Sequence, residues 1–432
     1  MKIKTKELEY SKVLKIKKPA HKNPLKPNIV LQTVVRVLAV FDLLATKFTY
    51  TFKGREKLEE GPYLILMNHS SFIDLKIASK IFYPMPYSIV CTSDGFVGKS
   101  LLMRLLGCIP TQKFVTDLTL IRDMKYSLKN GVSVLMFPEA SYSFDGTQTP
   151  LPEKLGQLMK LLNVPVLTVI TKGAFHRDPL YNGLQLRKVP VSATVKCIAT
   201  RKDIKNLSVE ELTSRLEKEF TFDNFKWQLE NKIKVKEPFR ADGLERILYK
   251  CANCKKEGTM NGVGITIKCS NCGKEYELDE LGQLCATRGE TEFLHIPHWY
   301  AWQRECVREE LINGTYLLDT PVKIGVMVDY KAIYMVGEGR LIHNKDGFTL
   351  TGCDGELFYT QPPQASYGLY SDYFWYEIGD IISIGNRETL YYCFPKGGDV
   401  VAKTRIAAEE LYKLIRPRRE RTQKSADLAE KV

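Results

Sequence analysis

The fold is decided by residues 63–74, which read YLILMNHSSFID. The first five residues form an apolar run with the length of a buried strand, and a helical pattern opens at Phe72 after a polar stretch. His69 and Asp74 are five residues apart, so they would not share a face of one regular helix. They can meet only if His69 lies in the loop before the helix and Asp74 in its first turn. The stretch therefore predicts a strand, a loop and a helix, with a titratable pair at the strand's carboxyl end.

Outward from this stretch, short β-type runs alternate with helical patterns over about residues 61–200. The predicted strands are Tyr63–Met67, Ser88–Cys91, Val132–Phe137, Val166–Ile170 and Val191–Ile198. The predicted helices are Phe72–Phe82, Ser100–Leu106, Leu118–Lys129 and Glu153–Leu162. This alternation predicts an α/β domain in which helices cover a sheet.

A second polar segment, Phe137–Ser143 (FPEASYS), follows the strong buried run Val132–Met136. Together with the first segment it resembles the glycerolipid acyltransferase family, which includes the bacterial 1-acylglycerol-3-phosphate acyltransferases. The family motif Asn-His-x-Ser-x-x-Asp corresponds to Asn68–Asp74, and its Phe-Pro-Glu-Gly-Thr-Arg-Ser block corresponds to Phe137–Ser143. Two further family segments are similar to Gly107–Lys113 and Val164–Val166. Four blocks in the family's order and spacing give the motifs their expected context.

The resemblance implies an O-acyltransferase that moves a fatty acyl group from acyl-CoA or acyl carrier protein to the hydroxyl of a lysophospholipid in phospholipid biosynthesis. The expected acceptor is 1-acylglycerol-3-phosphate. The resemblance gives His69 the role of general base and Asp74 that of its orienting partner, as attack of an alcohol on a thioester requires. An alternative for Asp74 remains open, because Ser71-x-x-Asp74 is also a capping box for the helix start.

The resemblance places Glu139, Ser141 and Ser143 in the substrate-binding block. Glu139 is expected to hold the acceptor or the shape of the site, the alternative being a turn carboxylate that caps backbone amides. The chain departs from the family at Tyr142 and Lys113, where arginines are usual, and at Ala140, where glycine is usual. A guanidinium grips phosphate with two hydrogen bonds, whereas lysine offers a point charge.

The remaining candidates for contact with a phosphate are Lys113 and Lys154. Each could equally be a solvated surface lysine.

Two Cys-x-x-Cys pairs, separated by fourteen residues, predict a zinc ribbon over residues 248–284. The proposed ligands are Cys251, Cys254, Cys269 and Cys272. Four protein ligands leave no open position, so the zinc is expected to be structural. A redox role is the alternative, although a spaced double pair is not typical of one.

The amino-terminal residues carry much of the chain's net charge of +13: residues 1–27 hold nine lysines against Glu7 and Glu9, a local balance of +7. We predict a basic arm over 1–28 and an amphipathic membrane-surface helix over 29–54. Arg36 and Asp42 interrupt the apolar run and exclude a span of about 20 apolar residues. The alternative is an ordinary helix packed on the domain core.

The remaining boundaries follow from composition. We predict an acyltransferase domain over 55–235, a linker helix over 285–310, a β-rich domain with a closing helix over 311–418 and a charged tail over 419–432. The β-rich domain is weakly similar to the pleckstrin-homology-like superfold.

The expected partners are an anionic membrane surface, a lysophospholipid and an acidic acyl carrier protein. The expected location is the cytoplasm, peripheral on the inner face of the membrane.

Two rival functions remain. One is an acyltransferase with a different lipid acceptor. The other is a non-catalytic, basic zinc-ribbon protein that binds membrane or nucleic acid. Nucleic acid is not expected, because aromatic and basic residues are not interleaved around the ribbon.

Overall fold

The computed structural model of the chain describes residues 2–115 and 117–415. The predicted tail 419–432 lies outside the described residues. Short 3₁₀ helices occur at Arg55–Lys57, Ser93–Phe96, Leu180–Asn182, Leu244–Arg246, Cys353–Gly355 and Pro363–Ala365.

The first residues of the predicted basic arm are part of the fold and do not form a free arm. Strand β1 (Thr5–Glu7) pairs in parallel with Ile333–Met335 of the carboxyl-terminal sheet. Helix α1 (Tyr10–Val13) follows, and its two end residues are buried in the core. The lysines of this segment stay exposed. The side chains of β1 are exposed, and the segment is anchored by apolar residues that flank the strand, namely the buried Ile3 and the partly buried Leu8.

Helix α2 (Ile29–Ala45) ends nine residues before the predicted boundary, because the next residues form strand β2 (Thr49–Lys53). Asn28 caps its start by accepting hydrogen bonds from the backbone of Val30 and Leu31. Ala39 and Leu43 are its buried apolar residues, packed on the core of the central sheet. Most of its other apolar side chains are exposed: Ile29, Val30, Val34, Val37, Leu38, Val40, Phe41 and Leu44.

A seven-stranded mixed sheet forms the central domain, in the order β2-β8-β7-β3-β6-β4-β5. Its other strands are β3 (Leu64–Met67), β4 (Tyr87–Thr92), β5 (Cys108–Thr111), β6 (Ser133–Met136), β7 (Val166–Lys172) and β8 (Ser192–Ala199). Neighbours are parallel except β7 and β8. The predicted α/β sheet is thereby confirmed, with two additional strands, β2 and β5, at its edges.

Helices cover this sheet: α3 (Asp74–Phe82), α4 (Ser100–Leu105), α5 (Leu118–Lys129), α6 (Leu155–Leu162), α7 (Ala174–Arg177), α8 (Arg201–Asn206), α9 (Val209–Glu219) and α10 (Asn224–Glu230). Two separate apolar clusters line the sheet. One includes residues of α2 and α3, and the other includes residues of α5, α6 and α9. Because both faces are covered, the central strands read as continuous apolar runs.

The cysteine-bearing region forms a four-stranded antiparallel sheet of β9 (Met260–Val263), β10 (Thr266–Cys269), β11 (Glu275–Leu278) and β12 (Leu284–Ala286). Helix α11 (Ile296–Ile312) follows, near the predicted linker helix. Trp299 of this helix is fully buried, and its indole N–H donates a hydrogen bond to the carbonyl of Lys250.

The carboxyl-terminal sheet has the order β16-β15-β14-β13-β19-β18-β17, with β1 beside β14. Its strands are β13 (Leu318–Met327), β14 (Ile333–Asn344), β15 (Gly347–Gly352), β16 (Leu357–Gln361), β17 (Tyr370–Trp375), β18 (Gly379–Gly385) and β19 (Leu390–Pro395), and helix α12 (Val401–Ile415) closes it. One continuous apolar cluster runs from α1 through the cysteine-bearing sheet and α11 to this sheet and α12. The predicted β-rich region is confirmed, but it is not a separately packed unit.

No helix among the described residues has both the length and the apolar character needed to cross a membrane.

Candidate active site and metal centre

Two loops meet at the carboxyl ends of neighbouring strands. Strands β3 and β6 pair in parallel with Leu66 opposite Met136, so the residues that follow them lie side by side. The backbone amide of His69 donates to Glu139 Oε2 at 3.0 Å across this junction. The site therefore lies where the sequence predicted it, at an edge of the sheet formed by carboxyl ends of parallel strands.

His69 and Asp74 are in contact. His69 Nδ1 lies 3.1 Å from Asp74 Oδ2, with His69 in the loop and Asp74 at the first position of α3. The same Asp74 oxygen accepts from the backbone amides of Ser70 at 2.8 Å and Ser71 at 3.1 Å. Asp74 therefore orients the imidazole and satisfies two backbone amides of the loop before α3. The predicted capping box does not form, because the Asp74 amide donates to the Ser71 carbonyl and not to its hydroxyl.

The imidazole of His69 lies between two aromatic rings. Its centroid is 4.1 Å from that of Phe137 and 4.0 Å from that of Tyr142. Only 15% of the side chain is exposed. Burial lowers the pKa of His69 below its ordinary value, although the Asp74 carboxylate acts in the opposite direction. A neutral imidazole with Nδ1 held by a carboxylate leaves Nε2 as the basic nitrogen.

Glu139 is fully buried and bonded on both oxygens. Oε2 accepts from His69, and Oε1 accepts from the Thr149 amide at 2.8 Å and its hydroxyl at 3.2 Å. Burial raises the pKa of Glu139 to about 7, against the effect of these hydrogen bonds. The carboxylate therefore ties the two motif loops together. This geometry favours the predicted role in the shape of the site over contact with the acceptor.

The rest of the second motif is held by the carboxyl-terminal helix. Arg405 of α12 donates to Ser141 Oγ at 2.8 Å and to the carbonyl of Tyr142 at 3.0 Å. Ser143 donates to the carbonyl of Thr147 at 2.6 Å. The hydroxyls of Ser141 and Ser143 are thus used within the protein and do not line the cavity described below. No pattern in the sequence indicated that Arg405 would meet this motif.

Ala140 keeps the backbone shape of the glycine that it replaces. Its φ is 57°, in the left-handed region that glycine favours. The loop therefore turns as a glycine would turn it, at the energetic cost of a side chain in that region.

A cavity opens beside His69. Its volume of about 950 Å³ is at the upper end of the usual range for ligand sites. The central domain supplies one wall, including Lys99, Lys113 and Lys154, and the carboxyl-terminal sheet supplies another, including Tyr370 and Asp372. Both walls also carry apolar side chains that line the cavity: Leu75, Val90, Met103, Leu120, Ile121, Met124, Leu158, Phe374 and Trp375. The structure thus brings Lys113 and Lys154 to the cavity with His69, and adds Lys99.

One carboxylate joins the two walls. Asp94, in the loop after β4, is buried and accepts from Tyr370 Oη at 2.7 Å and from Trp375 Nε1 at 3.3 Å. Tyr376 Oη lies 3.4 Å away from it. These contacts fix β17 against the central domain, so the cavity has a defined shape on both sides.

The four predicted ligands of the metal converge. The Sγ atoms all lie within 4.8 Å of one another, including a Cys251–Cys272 distance of 3.8 Å and a Cys254–Cys269 distance of 3.7 Å. Thiolates about 2.3 Å from a tetrahedral zinc would be about 3.8 Å apart. The side-chain amides of Asn253 and Asn271 donate to two of these sulfurs and favour their thiolate form. The cluster fits a metal ion such as zinc.

Comparison with known proteins agrees with the site. Residues 49–172 match the Acyltransferase family model, so the chain contains an acyltransferase-family domain that includes both motifs. No curated protein matches the chain. Among solved structures, the 1-acyl-sn-glycerophosphate (LPA) acyltransferase PlsC from Thermotoga maritima is 18% identical, with 44% of this chain and 78% of that chain covered and a TM-score of 0.34.

Proposed function

We propose that the protein transfers a fatty acyl group from the thioester of acyl-CoA or acyl carrier protein to the hydroxyl of a lysophospholipid. The observation that carries this proposal is the His69–Asp74 pair, held at 3.1 Å beside a large, mostly apolar cavity in an acyltransferase-family domain. The acceptor that the family resemblance implies, 1-acylglycerol-3-phosphate, is the first to be tested.

The arrangement supports direct transfer without an acyl-enzyme. His69 Nε2 takes the proton from the acceptor hydroxyl as its oxygen attacks the thioester carbonyl carbon. The tetrahedral intermediate collapses with cleavage of the C–S bond, and the imidazolium returns the proton to the departing thiolate. Asp74 stabilises the imidazolium while it exists. The lysines in the cavity wall, Lys99, Lys113 and Lys154, are candidates for contact with phosphate groups of either substrate.

The surface around the cavity supports presentation of lipid from a membrane. Phe72 and Leu75 line the cavity and are also exposed, by 57% and 44%. Helix α2 packs against α3, the helix that carries Leu75, and turns a wide apolar face outward. Asp42 on its other side pairs with Lys76 and lies 3.7 Å from Arg177. We propose that α2 lies in the interface of an anionic membrane on its cytoplasmic side, with the exposed lysines beside it.

Two finer assignments complete the proposal. The four cysteines would hold one structural zinc, which would stabilise the local fold of the ribbon and leave no position for substrate. The strand order of the carboxyl-terminal sheet, two meanders joined through β13 and β19 and closed by a helix, supports the weak similarity to a pleckstrin-homology-like domain. Such a superfold does not define a ligand.

The test is thioester consumption by purified protein with a panel of lysolipids and both donor types. We expect His69→Ala to lose roughly 10²- to 10⁴-fold in turnover while it keeps the melting temperature and vesicle binding of the parent protein. Lys331→Ala, an exposed substitution on the carboxyl-terminal sheet, serves as the control. Near-normal turnover by His69→Ala would rule out the mechanism. A complete absence of acyl transfer by the parent protein would favour the non-catalytic alternative.

A further inference from the structure

The cavity wall contains an ammonium group without a polar partner. Lys113 forms no hydrogen bond with, and no ion pair within 4 Å to, any residue in the described ranges, and its Nζ lies 4.1 Å from the ring centroid of Tyr370. Burial lowers the pKa of Lys113, although the Asp372 and Asp94 carboxylates act in the opposite direction without forming a hydrogen bond to it. All three donors of the ammonium are thus available to an anionic group in the cavity.

The opposite wall contains a carboxylate in a comparable state. Asp372 lies on the carboxyl-terminal strand β17, two residues after Tyr370 and therefore on the same face of the strand. Its one hydrogen bond among the described residues is from the neighbouring amide of Tyr373, at 3.1 Å. Asp94 differs, because aromatic donors of β17 already occupy its carboxylate. Asp94 is therefore structural, whereas Asp372 faces the cavity with acceptor capacity left over.

Aromatic side chains of the same sheet line the cavity together with this carboxylate. Tyr370, Phe374, Trp375 and Tyr376 all lie on or just after β17 and line the cavity with Asp372. Aromatic faces attract cations, and a nearby carboxylate adds to that attraction. The pKa of Asp372 is raised to about 6 by burial, so the group is still mainly ionised at neutral pH.

We infer that the acceptor carries a zwitterionic headgroup, with its phosphodiester bound by Lys113 and its amine bound by Asp372 of the carboxyl-terminal sheet. This inference rests on the proposed acyl transfer and narrows its acceptor. In the free protein the charges of Lys113 and Arg405 partly offset that of Asp372. A phosphomonoester without an amine would bind Lys113 but would place a dianion close to the Asp372 carboxylate, with no new positive charge to compensate it. The carboxyl-terminal sheet thus selects the substrate of the acyltransferase domain.

The test compares three acceptors with the same acyl chain and an acyl-CoA donor: lysophosphatidylethanolamine, its N-acetylated derivative, which keeps the phosphodiester but has no charge on nitrogen, and lysophosphatidic acid. We expect kcat/KM for the first to exceed that for the second and third by about tenfold or more, as expected for a hydrogen bond to a charged group. Asp372→Asn should bring the ratio of the first to the second close to one. Asp346→Asn, on an exposed turn of the same sheet, should leave it unchanged.

The two kcat/KM values that form each ratio are measured on the same variant, so any loss of folded Asp372→Asn protein affects both equally and leaves their ratio unchanged. If that variant cannot be obtained, the ratios measured with the parent protein test the inference on their own. Equal use of the amine and its N-acetyl derivative, preference for lysophosphatidic acid, or a ratio insensitive to Asp372→Asn overturns the inference while acyl transfer stands. Absence of transfer to all three acceptors rejects the proposed function and the inference together.

Discussion

Burial favours the neutral form of the His69 imidazole, which suits the proposed role of general base. Since burial lowers its pKa below the ordinary value of 6.5, the proton-free form persists to lower pH than for a free histidine. Activity should be lost only as pH falls through this lowered pKa. We expect the acidic limb of kcat/KM to lie below pH 6.5, measured with an acceptor that does not itself titrate in that range.

Asp74→Asn should move this limb further toward acid, because it removes the charge that favours the imidazolium. It should also lower the maximum rate roughly 10²- to 10⁴-fold, since the tautomer and orientation of His69 are no longer held. Full activity with only a lower melting temperature would show that Asp74 does no more than satisfy the backbone amides of the loop before α3.

Glu139 offers a third residue-level prediction, which separates positioning from substrate binding. Glu139→Gln keeps the size of the side chain but turns an NH₂ group toward the amide of His69 or that of Thr149. An unsatisfied buried amide costs about 1–3 kcal/mol, so we expect kcat to fall by roughly 10- to 100-fold with little change in KM. Glu210→Gln, exposed on α9, is the matched control. A raised KM with unchanged kcat would instead assign Glu139 to the acceptor.

Among the elements, α2 carries the membrane prediction. Val37 and Phe41 are 56% and 75% exposed on its outer face, and burial of two such side chains in lipid contributes about 3–6 kcal/mol. Val37→Asp with Phe41→Asp should therefore weaken binding to anionic vesicles by about 10²-fold or more, even at low salt, in a flotation assay. Activity on a soluble short-chain acceptor should change little.

The chain provides a matched control for this double substitution. Leu317 and Phe358 are 62% and 73% exposed on the carboxyl-terminal domain, so Leu317→Asp with Phe358→Asp adds the same charge elsewhere. Equal vesicle binding by both double variants would show that α2 is not the anchor. Deletion of the first residues is a poorer test, because Tyr10 and Val13 belong to the core.

Elements built from local patterns could be predicted, and those built from distant contacts could not. Strands β3, β6 and β7 are buried on both faces, so their apolar runs stand out in the sequence. Strand β5 was missed because it is an edge strand that contains Pro110. Strand β2 lies within the range of the predicted membrane-surface helix. Its residues are mostly exposed, so no buried apolar run separates them from the helical pattern before them.

The same distinction between local patterns and distant contacts applies to the candidate site. The His69–Asp74 contact lies within one short motif, and the family resemblance of that motif was enough to predict it. Arg405 reaches Ser141 from 264 residues away, and Asp372 faces Lys113 from another sheet. Such contacts depend on how two domains pack, which no short sequence window contains.

At the scale of the whole molecule, the cysteine cluster is part of the main core. We expect about one zinc per chain by metal analysis of protein purified without chelator. Cys251→Ser should lower the melting temperature of the whole protein and not only loosen the ribbon, because the apolar cluster around Cys251 continues into α11 and the carboxyl-terminal sheet. Cys285→Ser, exposed on β12, should have little effect. Protein that is free of metal yet equally stable would contradict the assignment.

The pairing of β1 with β14 sets an order of events during synthesis. Thr5 leaves the ribosome 328 residues before its partner Ile333, an interval of roughly 15 to 65 s at ordinary rates of translation. During this time the lysine-rich segment has no strand to pair with, and its buried residues have no core to enter. The segment that contains β1 is therefore synthesised long before it can be ordered, and until β14 emerges its lysines remain exposed to the surroundings of the ribosome.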